Sequence, residues 1–247
     1  MGSRRSDALI LIPAYKEEGR VGAVIEGVRK NAPDVDILVI DDGSPDATAS
    51  EARQAGAMVA SLPFNMGYGV ALQTGFKYAY RHGYEYVVQI DGDGQHEPSC
   101  IPKLLAEVRE PDVDVVLGSR WLGLAEYNGP ALRKFGKFFF AFLANTLTRL
   151  HVTDPTTGFQ ALSRQVVQFY CSNVYPVDFP DADVIIMLHR AGFQVEEVPV
   201  IMYINRSGQS MHAGLLRPIY YGMKMMMSIA MTLLRDDRKI RERATYV

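Results

Sequence analysis

The stretch Tyr86-Val87-Val88-Gln89-Ile90-Asp91-Gly92-Asp93-Gly94-Gln95 sets the reading of the whole chain: a β-branched apolar run that stops at two aspartates spaced two apart. Such a run, bounded by acid and glycine, fits a strand buried on both faces. Working outward, the same texture recurs at Ala8 to Pro13, Asp36 to Ile40, Ala57 to Ala60 and Val113 to Leu117. Between these runs Glu18 to Lys30, Asp46 to Ala55, Tyr68 to His82 and Pro98 to Val108 read as helices, each opened by an acidic, proline or glycine signal. Strict alternation of strand and helix predicts parallel βαβ units. The expected fold class is α/β, an open, mostly parallel, doubly wound sheet with helices on both faces.

In sheets of this kind ligands bind beyond the carboxyl ends of the strands. The acids stand there: Ile40 runs into Asp41-Asp42-Gly43-Ser44, and Ile90 into Asp91-Gly92-Asp93-Gly94-Gln95. The first strand runs into Pro13-Ala14-Tyr15-Lys16-Glu17 with no glycine fingerprint, which argues against a dinucleotide fold. After Arg120 the alternation gives way. Arg133 to Leu150 reads as a helix loaded with Phe135, Phe138, Phe139, Phe140 and Phe142, followed by the turn Asp154-Pro155-Thr156-Thr157-Gly158. Gln160 to Ser163 and Gln194 to Tyr203 add strands, and Asp181 to Arg190 a helix. No linker divides a second domain. Residues 1–7 read as a disordered or tag-like start, 8–211 as one domain, and 212–247 as a C-terminal amphipathic helix with a charged tail.

That last helix carries Ile219, Met223, Met226, Met227, Ala230, Leu233 and Leu234 as an apolar stripe, with Met225, Ile229 and Met231 widening it. Docking on the core, a homodimer seam and contact with a membrane surface or membrane-embedded subunit all fit such a helix. With 26 basic and 28 acidic side chains among 247 residues and a formal net charge of -2, no nucleic-acid partner is expected. No uncharged apolar run approaches the ~20 residues that a membrane-spanning helix needs. Cys100 and Cys171 make no disulfide framework or metal spacing, so reduced thiols in the cytoplasm are expected, with the protein in solution or peripheral at the membrane.

Residues two apart in extended backbone point the same way, so Asp91 and Asp93 present carboxylates to one point, and Gln95 can add a neutral oxygen. Two carboxylates with open positions suit Mg²⁺ or Mn²⁺, which keep waters and take phosphate oxygens as further ligands. Of Asp41 and Asp42, one is expected to be structural, as turn or helix cap, and the other to accept hydrogen bonds from a ligand's base or ribose. Asn65, Gly67, Gly69, Ala71 and Gly75 place small residues at a helix start, allowing close approach to a ligand or to the sheet. Arg120 ends the fifth strand, and Arg133 and Arg206 sit at later turns. Guanidinium groups in such places clamp anionic oxygens.

The ordered set Pro13-Ala14-Tyr15-Lys16-Glu17, Asp41-Asp42-Gly43-Ser44, Asn65-Met66-Gly67, Asp91-Gly92-Asp93-Gly94-Gln95, Gly118-Ser119-Arg120, Asp154-Pro155-Thr156-Thr157-Gly158-Phe159, Glu197-Val198-Pro199 and Arg206-Ser207-Gly208-Gln209-Ser210 resembles family two glycosyltransferases, within them the dolichyl- and polyprenyl-phosphate sugar transferases. The resemblance covers roughly residues 8 to 211. It implies a Rossmann-like GT-A fold, a nucleotide-sugar donor such as GDP-mannose or UDP-glucose, inversion at the anomeric carbon and a polyprenyl or dolichyl phosphate acceptor. It implies that Pro13, Ala14, Tyr15, Glu17, Asp41, Asp42, Asn65, Gly67, Asp91 and Gly92 line the nucleotide site. Asp91, Asp93 and Gln95 would hold the metal, while Arg120, Arg133, Arg206 and Ser210 would meet the donor diphosphate or acceptor phosphate. Asp93, Arg120 and Asp183 are the catalytic candidates. Asp183 stands where the family has glutamate, and it is the first choice for a base if the acceptor is instead a sugar hydroxyl of a cell-envelope glycan.

Three departures bear on the acceptor: Lys16 for the family's asparagine, Met211-His212 for its lysine, and a chain that ends without the transmembrane pair of many relatives. A nucleotidyltransferase and a non-catalytic nucleotide-sugar-binding or scaffold subunit are the competing readings. The first lacks its basic glycine-rich loop here, and the intact Asp91/Asp93 pair disfavours the second.

Overall fold

The computed structural model of the chain describes residues 6–122, 142–148, 150, 152–176, 180, 182–203, 216–236, 239 and 241–242. Arg133, Arg206, Ser210, Met211-His212 and the Phe-rich segment before residue 142 lie outside them. Asp7, assigned from sequence to the leading segment, pairs with Arg109 at 3.0 Å.

Seven strands form one sheet: β1 (Ala8–Ala14), β2 (Asp36–Asp41), β3 (Met58–Ser61), β4 (Tyr86–Gln89), β5 (Val115–Ser119), β6 (Gln160–Ser163) and β7 (Val195–Pro199), in the order β3-β2-β1-β4-β6-β5-β7. The first four are parallel to one another, as alternation requires, and β5 is parallel to β7. The exception is β6, which runs antiparallel to both β4 and β5. It therefore begins at the rim where its neighbours end, so the turn before it is delivered to the ligand side. The sequence signalled the break only as lost periodicity after Arg120.

Alternate residues of β1 enter two different cores. Leu9 and Leu11 join α3 (Tyr68–Arg81), α6 (Arg164–Tyr170) and α7 (Ala182–Arg190) on one side. Ala8, Ile10 and Ile12 join α1 (Val21–Asn31), Ala52 of α2 (Thr48–Gln54) and α4 (Ile101–Val108) on the other. This double burial explains why the strands read as continuous apolar runs. α6 had escaped the sequence reading. It is seven residues long and begins where β6 ends, too short for periodicity to stand out.

Close packing of α3 on the sheet depends on Gly75, where an added Cβ would lie 2.1 Å from Leu11 Cδ1. Gly75→Ala is expected to destabilise the protein by about 1–2 kcal/mol. Overpacking a full core costs about 1–3 kcal/mol, and alanine recovers up to about 1 through helix propensity. Urea unfolding measures the difference, and a more stable variant would show that Leu11 yields freely.

Two further helical segments lie beside α7: α5, described over residues 142–148, and α8 (Leu216–Leu234). Ala144, Ile186, Met225 and Ile229 form a small separate core with them. α8 docks, as one of the sequence readings had it, but not by the stripe singled out there. Its buried seam is Met225, Ile229 and Thr232, while Met223, Met226, Met227, Met231 and Leu234 from the predicted apolar surface face outward. None of the described helices is long and apolar enough to cross a membrane.

Candidate active site

The carboxyl ends of β1, β2, β4 and β5 and the start of β6 meet at one rim, and side chains tie the loops there into a frame. Asp42, buried at the end of β2, accepts from Met66 N at 2.7 Å, Gly67 N at 2.9 Å and Asn65 Nδ2 at 2.9 Å. It thereby fixes the turn that opens α3. Asp41 accepts from Ser44 N at 3.0 Å. Both acids are thus structural, where the sequence reading expected one to be. The loop after β1 is held by Lys16 N on Ser44 Oγ at 3.1 Å and Glu17 N on Thr48 Oγ1 at 2.8 Å. Lys16 has a φ of 59°, in the left-handed region that asparagine tolerates better than most residues, which gives a physical reason for the residue it replaces. Tyr15, Phe64 and Met66 stand exposed on these same loops.

Beyond β4, Asp91 Oδ1 accepts from the Tyr68 hydroxyl at 2.8 Å, and Tyr68 in turn accepts from Gln89 Nε2 at 3.0 Å. Gly158, in the turn before β6, presses so close that a Cβ there would lie 2.8 Å from Asp91 Oδ2. The imidazole of His96, fully enclosed and stacked near Phe159, places Nδ1 3.7 Å from that oxygen. Asp93 accepts from Gln95 N at 3.0 Å and from the Gln95 side-chain amide. Gly92 lies against Pro13 O and the Glu17 side chain, which brings the loops after β1 and β4 together.

Among the described residues, acidic side chains crowd the centre of the rim. Burial raises the Asp91 carboxyl above its ordinary range, and Asp93 adds to this against the pull of His96, Tyr68 and Arg120. Burial likewise pushes Glu17 up to about 7, with Asp93 and Asp91 contributing and Arg20, 2.7 Å away, opposing. Burial lowers the His96 pKa, favouring the neutral ring. Carboxylates crowded closely enough for Asp93 to raise the pKa of Asp91 and Glu17, with a side-chain amide alongside, fit a hard divalent cation that leaves positions for water and phosphate oxygens. Among the described residues no group of three or more His, Cys, Asp or Glu side chains is placed to hold a metal ion, so the fit rests on two acids and an amide rather than a closed cage.

The Glu17 shift has a definite sign. A carboxyl whose folded pKa is raised contributes stability in full below its unfolded value near 4.5, and loses it as pH rises through about 7. Glu17→Gln removes this dependence. Without added metal, the variant's stability relative to wild type is expected to rise by about 1 kcal/mol from roughly pH 5 to roughly pH 8, after allowing for solvent screening. Urea unfolding at the two pH values checks it, and an unchanged difference would mean that Glu17 ionises normally.

Arg120 follows β5 and is clamped by Asp154 from the turn before β6. Its Nε and Nη2 both reach that carboxylate, the second at 2.7 Å, and Nη2 also lies 3.4 Å from Thr156 Oγ1. Asp154 is wholly buried. A guanidinium held in this fashion has a fixed direction at the acidic rim.

A family model described as Glycosyl transferase family 2 matches residues 9–170. The chain belongs to this family. The glycosyltransferase is 29% identical over 215 residues to the undecaprenyl-phosphate mannosyltransferase of Micrococcus luteus, covering 83% of this chain and 87% of that one. Over 210 residues it is 27% identical to the UDP-N-acetylglucosamine--dolichyl-phosphate N-acetylglucosaminyltransferase of Methanococcus voltae, covering 77% and 83% of the two chains. Among solved structures it resembles glucosyl-3-phosphoglycerate synthase from Mycobacterium tuberculosis in complex with Mn²⁺ and UDP-glucose, with a TM-score of 0.66, 22% identity and coverage of 92% of this chain and 78% of the other. The fold is the GT-A fold.

Of the residues singled out in the glycosyltransferase sequence, the structure assembles Pro13, Ala14, Tyr15, Glu17, Asp41, Asp42, Asn65, Gly67, Asp91, Gly92, Asp93, Gln95 and Arg120 around one rim. Asp183 is different. It is 1% exposed, lies at the start of α7, accepts from Val184 N at 2.9 Å and receives the Ser228 hydroxyl of α8. Tyr68, Gln89 and His96 were missed, because nothing in sequence says that a tyrosine opening one helix will meet a carboxylate after the next strand.

Proposed function

We propose that this glycosyltransferase moves a hexose from a nucleotide-sugar, of the GDP-mannose or UDP-glucose type, to the phosphate of a polyprenyl or dolichyl carrier, with inversion at the anomeric carbon. The observation that carries the reading is the juxtaposition of the acidic pair Asp91 and Asp93 with the clamped guanidinium of Arg120. It is supported by relatives named for undecaprenyl-phosphate and dolichyl-phosphate substrates. Pro13, Ala14 and the exposed Tyr15 line the nucleoside side, with Asp41, Asp42, Asn65 and Gly67 shaping its floor.

In this reading Asp91, Asp93 and the side-chain oxygen of Gln95 would hold Mg²⁺ or Mn²⁺, which would supply positive charge against the departing diphosphate. Arg120 binds phosphate oxygens from the other side, joined by Arg133, Arg206 and Ser210. A phosphate monoester, with a second pKa near ~6, is largely dianionic at neutral pH. Its oxygen attacks the anomeric carbon while the bond to the diphosphate breaks, and there is no proton for the protein to remove. Asp183, enclosed between α7 and α8, then supports packing and needs no role as a base. The outward Met223, Met226, Met227 and Met231 of α8, with the exposed Phe142 of α5, suit contact with the lipid surface that carries the acceptor.

Thermal-shift titration with UDP and GDP in the presence of Mn²⁺ identifies the base, since a ligand of the folded state alone raises the midpoint. Mass spectrometry of a short-chain polyprenyl phosphate incubated with the matching nucleotide-sugar is then expected to show the hexosylated product. Pyrophosphate released from a nucleoside triphosphate and a sugar 1-phosphate, with no glycolipid formed from the nucleotide-sugar, would favour a nucleotidyltransferase. Liposome flotation tests the lipid contact separately, and a protein that stays wholly in the soluble fraction would refute it.

A further inference from the structure

Glu197, in the middle of β7, stands outside the rim, yet its carboxylate gathers the chain segments that hold Arg120. Its Oε1 accepts from Asp154 N at 2.9 Å, and its Oε2 from Thr153 N at 2.8 Å and Thr153 Oγ1 at 2.9 Å. The Thr153 hydroxyl lies 2.6 Å from Ser119 Oγ, which accepts from Trp121 N at 3.1 Å. A carboxylate only accepts, so these bonds have one direction. Thr153 spends its hydroxyl proton on Glu197, Ser119 must donate to Thr153, and Trp121 N–H donates to Ser119. One branch thus fixes the residues on either side of Arg120. The other fixes the backbone of Asp154, whose carboxylate grips the guanidinium at 2.7 Å.

We infer that Glu197 is a positioning residue for phosphate recognition, setting the direction of Arg120 through Thr153, Ser119 and Asp154. The register supports it: Glu197 is the partner of Leu117 in the parallel β5–β7 ladder, so the last strand of the sheet is the one that orients a side chain leaving its neighbour. Glutamine has one acceptor oxygen and an amide donor, so Glu197→Gln sets donor against donor on at least one branch and loosens the clamp without emptying space.

The inference rests on the reading of Arg120 as a phosphate ligand, and the test separates the two. UDP and GDP with Mn²⁺ are titrated into wild type, Glu197→Gln, Arg120→Lys and the double variant by calorimetry, with uridine and guanosine as competitors. Glu197→Gln is expected to weaken the bound diphosphate about tenfold, as loss of a residue that orients a ligand-binding group does, while the nucleoside competes as before. In the Arg120→Lys background the same change is expected to have little further effect, since the group it aims is gone. Equal diphosphate affinity in Glu197→Gln, or full additivity of the two losses, overturns the inference. If wild type binds neither diphosphate, the proposed function fails and this inference falls with it. Should Glu197→Gln not fold, Thr153→Val cuts the hydroxyl branch alone. A roughly threefold loss of diphosphate affinity then supports the inference, and an unchanged affinity refutes it.

Discussion

Asp93→Ala is expected to lower kcat/KM for Mn²⁺-dependent turnover of the nucleotide-sugar by about 10³-fold, the scale seen when one preorganised electrostatic group is lost from a reacting centre. The fold should hardly notice. The described bonds of Asp93 are to Gln95, two residues away, and it lies at the rim rather than in either core. An independent readout accompanies the kinetic one. Asp93 is one of the charges that push Glu17 up to about 7, so its removal is expected to lower the Glu17 pKa. That movement is visible by carboxyl NMR or in the pH dependence of stability. Activity within a fewfold of wild type would remove the acidic pair from the mechanism.

The second large effect is on stability. Asp154 is fully buried and Arg120 nearly so, with only 12% of its side chain exposed, and Asp154→Ala removes the carboxylate that grips that guanidinium. Breaking a buried ion pair from one side costs about 3–5 kcal/mol. Here the lower end is expected, because Arg120 also feels the Asp91 carboxylate. A loss of about 3 kcal/mol corresponds to a fall in Tm of roughly 6–12 °C for a domain of this size. Replacing both partners, as Arg120→Met with Asp154→Leu, is expected to recover most of the stability and none of the activity, since the penalty comes from the stranded charge rather than from the missing pair. Equal loss in the single and double variants would show instead that Asp154 acts mainly by holding the turn before β6.

The parallel part of the fold was legible because its strands are buried on both faces and so carry their apolar content without interruption. Ile10, Val39 and Val88 announce themselves whatever helix covers them. The acidic strand ends were legible for a related reason: charge directly after a fully apolar run has nowhere to go but the rim. What stayed hidden depends on contacts between distant segments. That β6 is antiparallel cannot be read from Gln160 to Ser163, which look like any other strand. That Met225 rather than Met223 faces inward depends on where α5 and α7 stand, since α8 is apolar nearly all round. That Asp183 is enclosed depends on Ser228 of α8, forty-five residues away, and no pattern around residue 183 announces it.

One consequence of the topology concerns how the chain is made. Among the described residues β5 has sheet neighbours only in β6 and β7, both later in the sequence, whereas β1 to β4 each have a partner among themselves, with β6 added later beside β4. On a ribosome adding ~5–20 residues per second, the first four strands can assemble while Val115, Val116 and Leu117 wait some seconds for the segments that will flank them. That interval is when a chaperone has an apolar ribbon to hold, and a chain released before residue 160 keeps it unpaired.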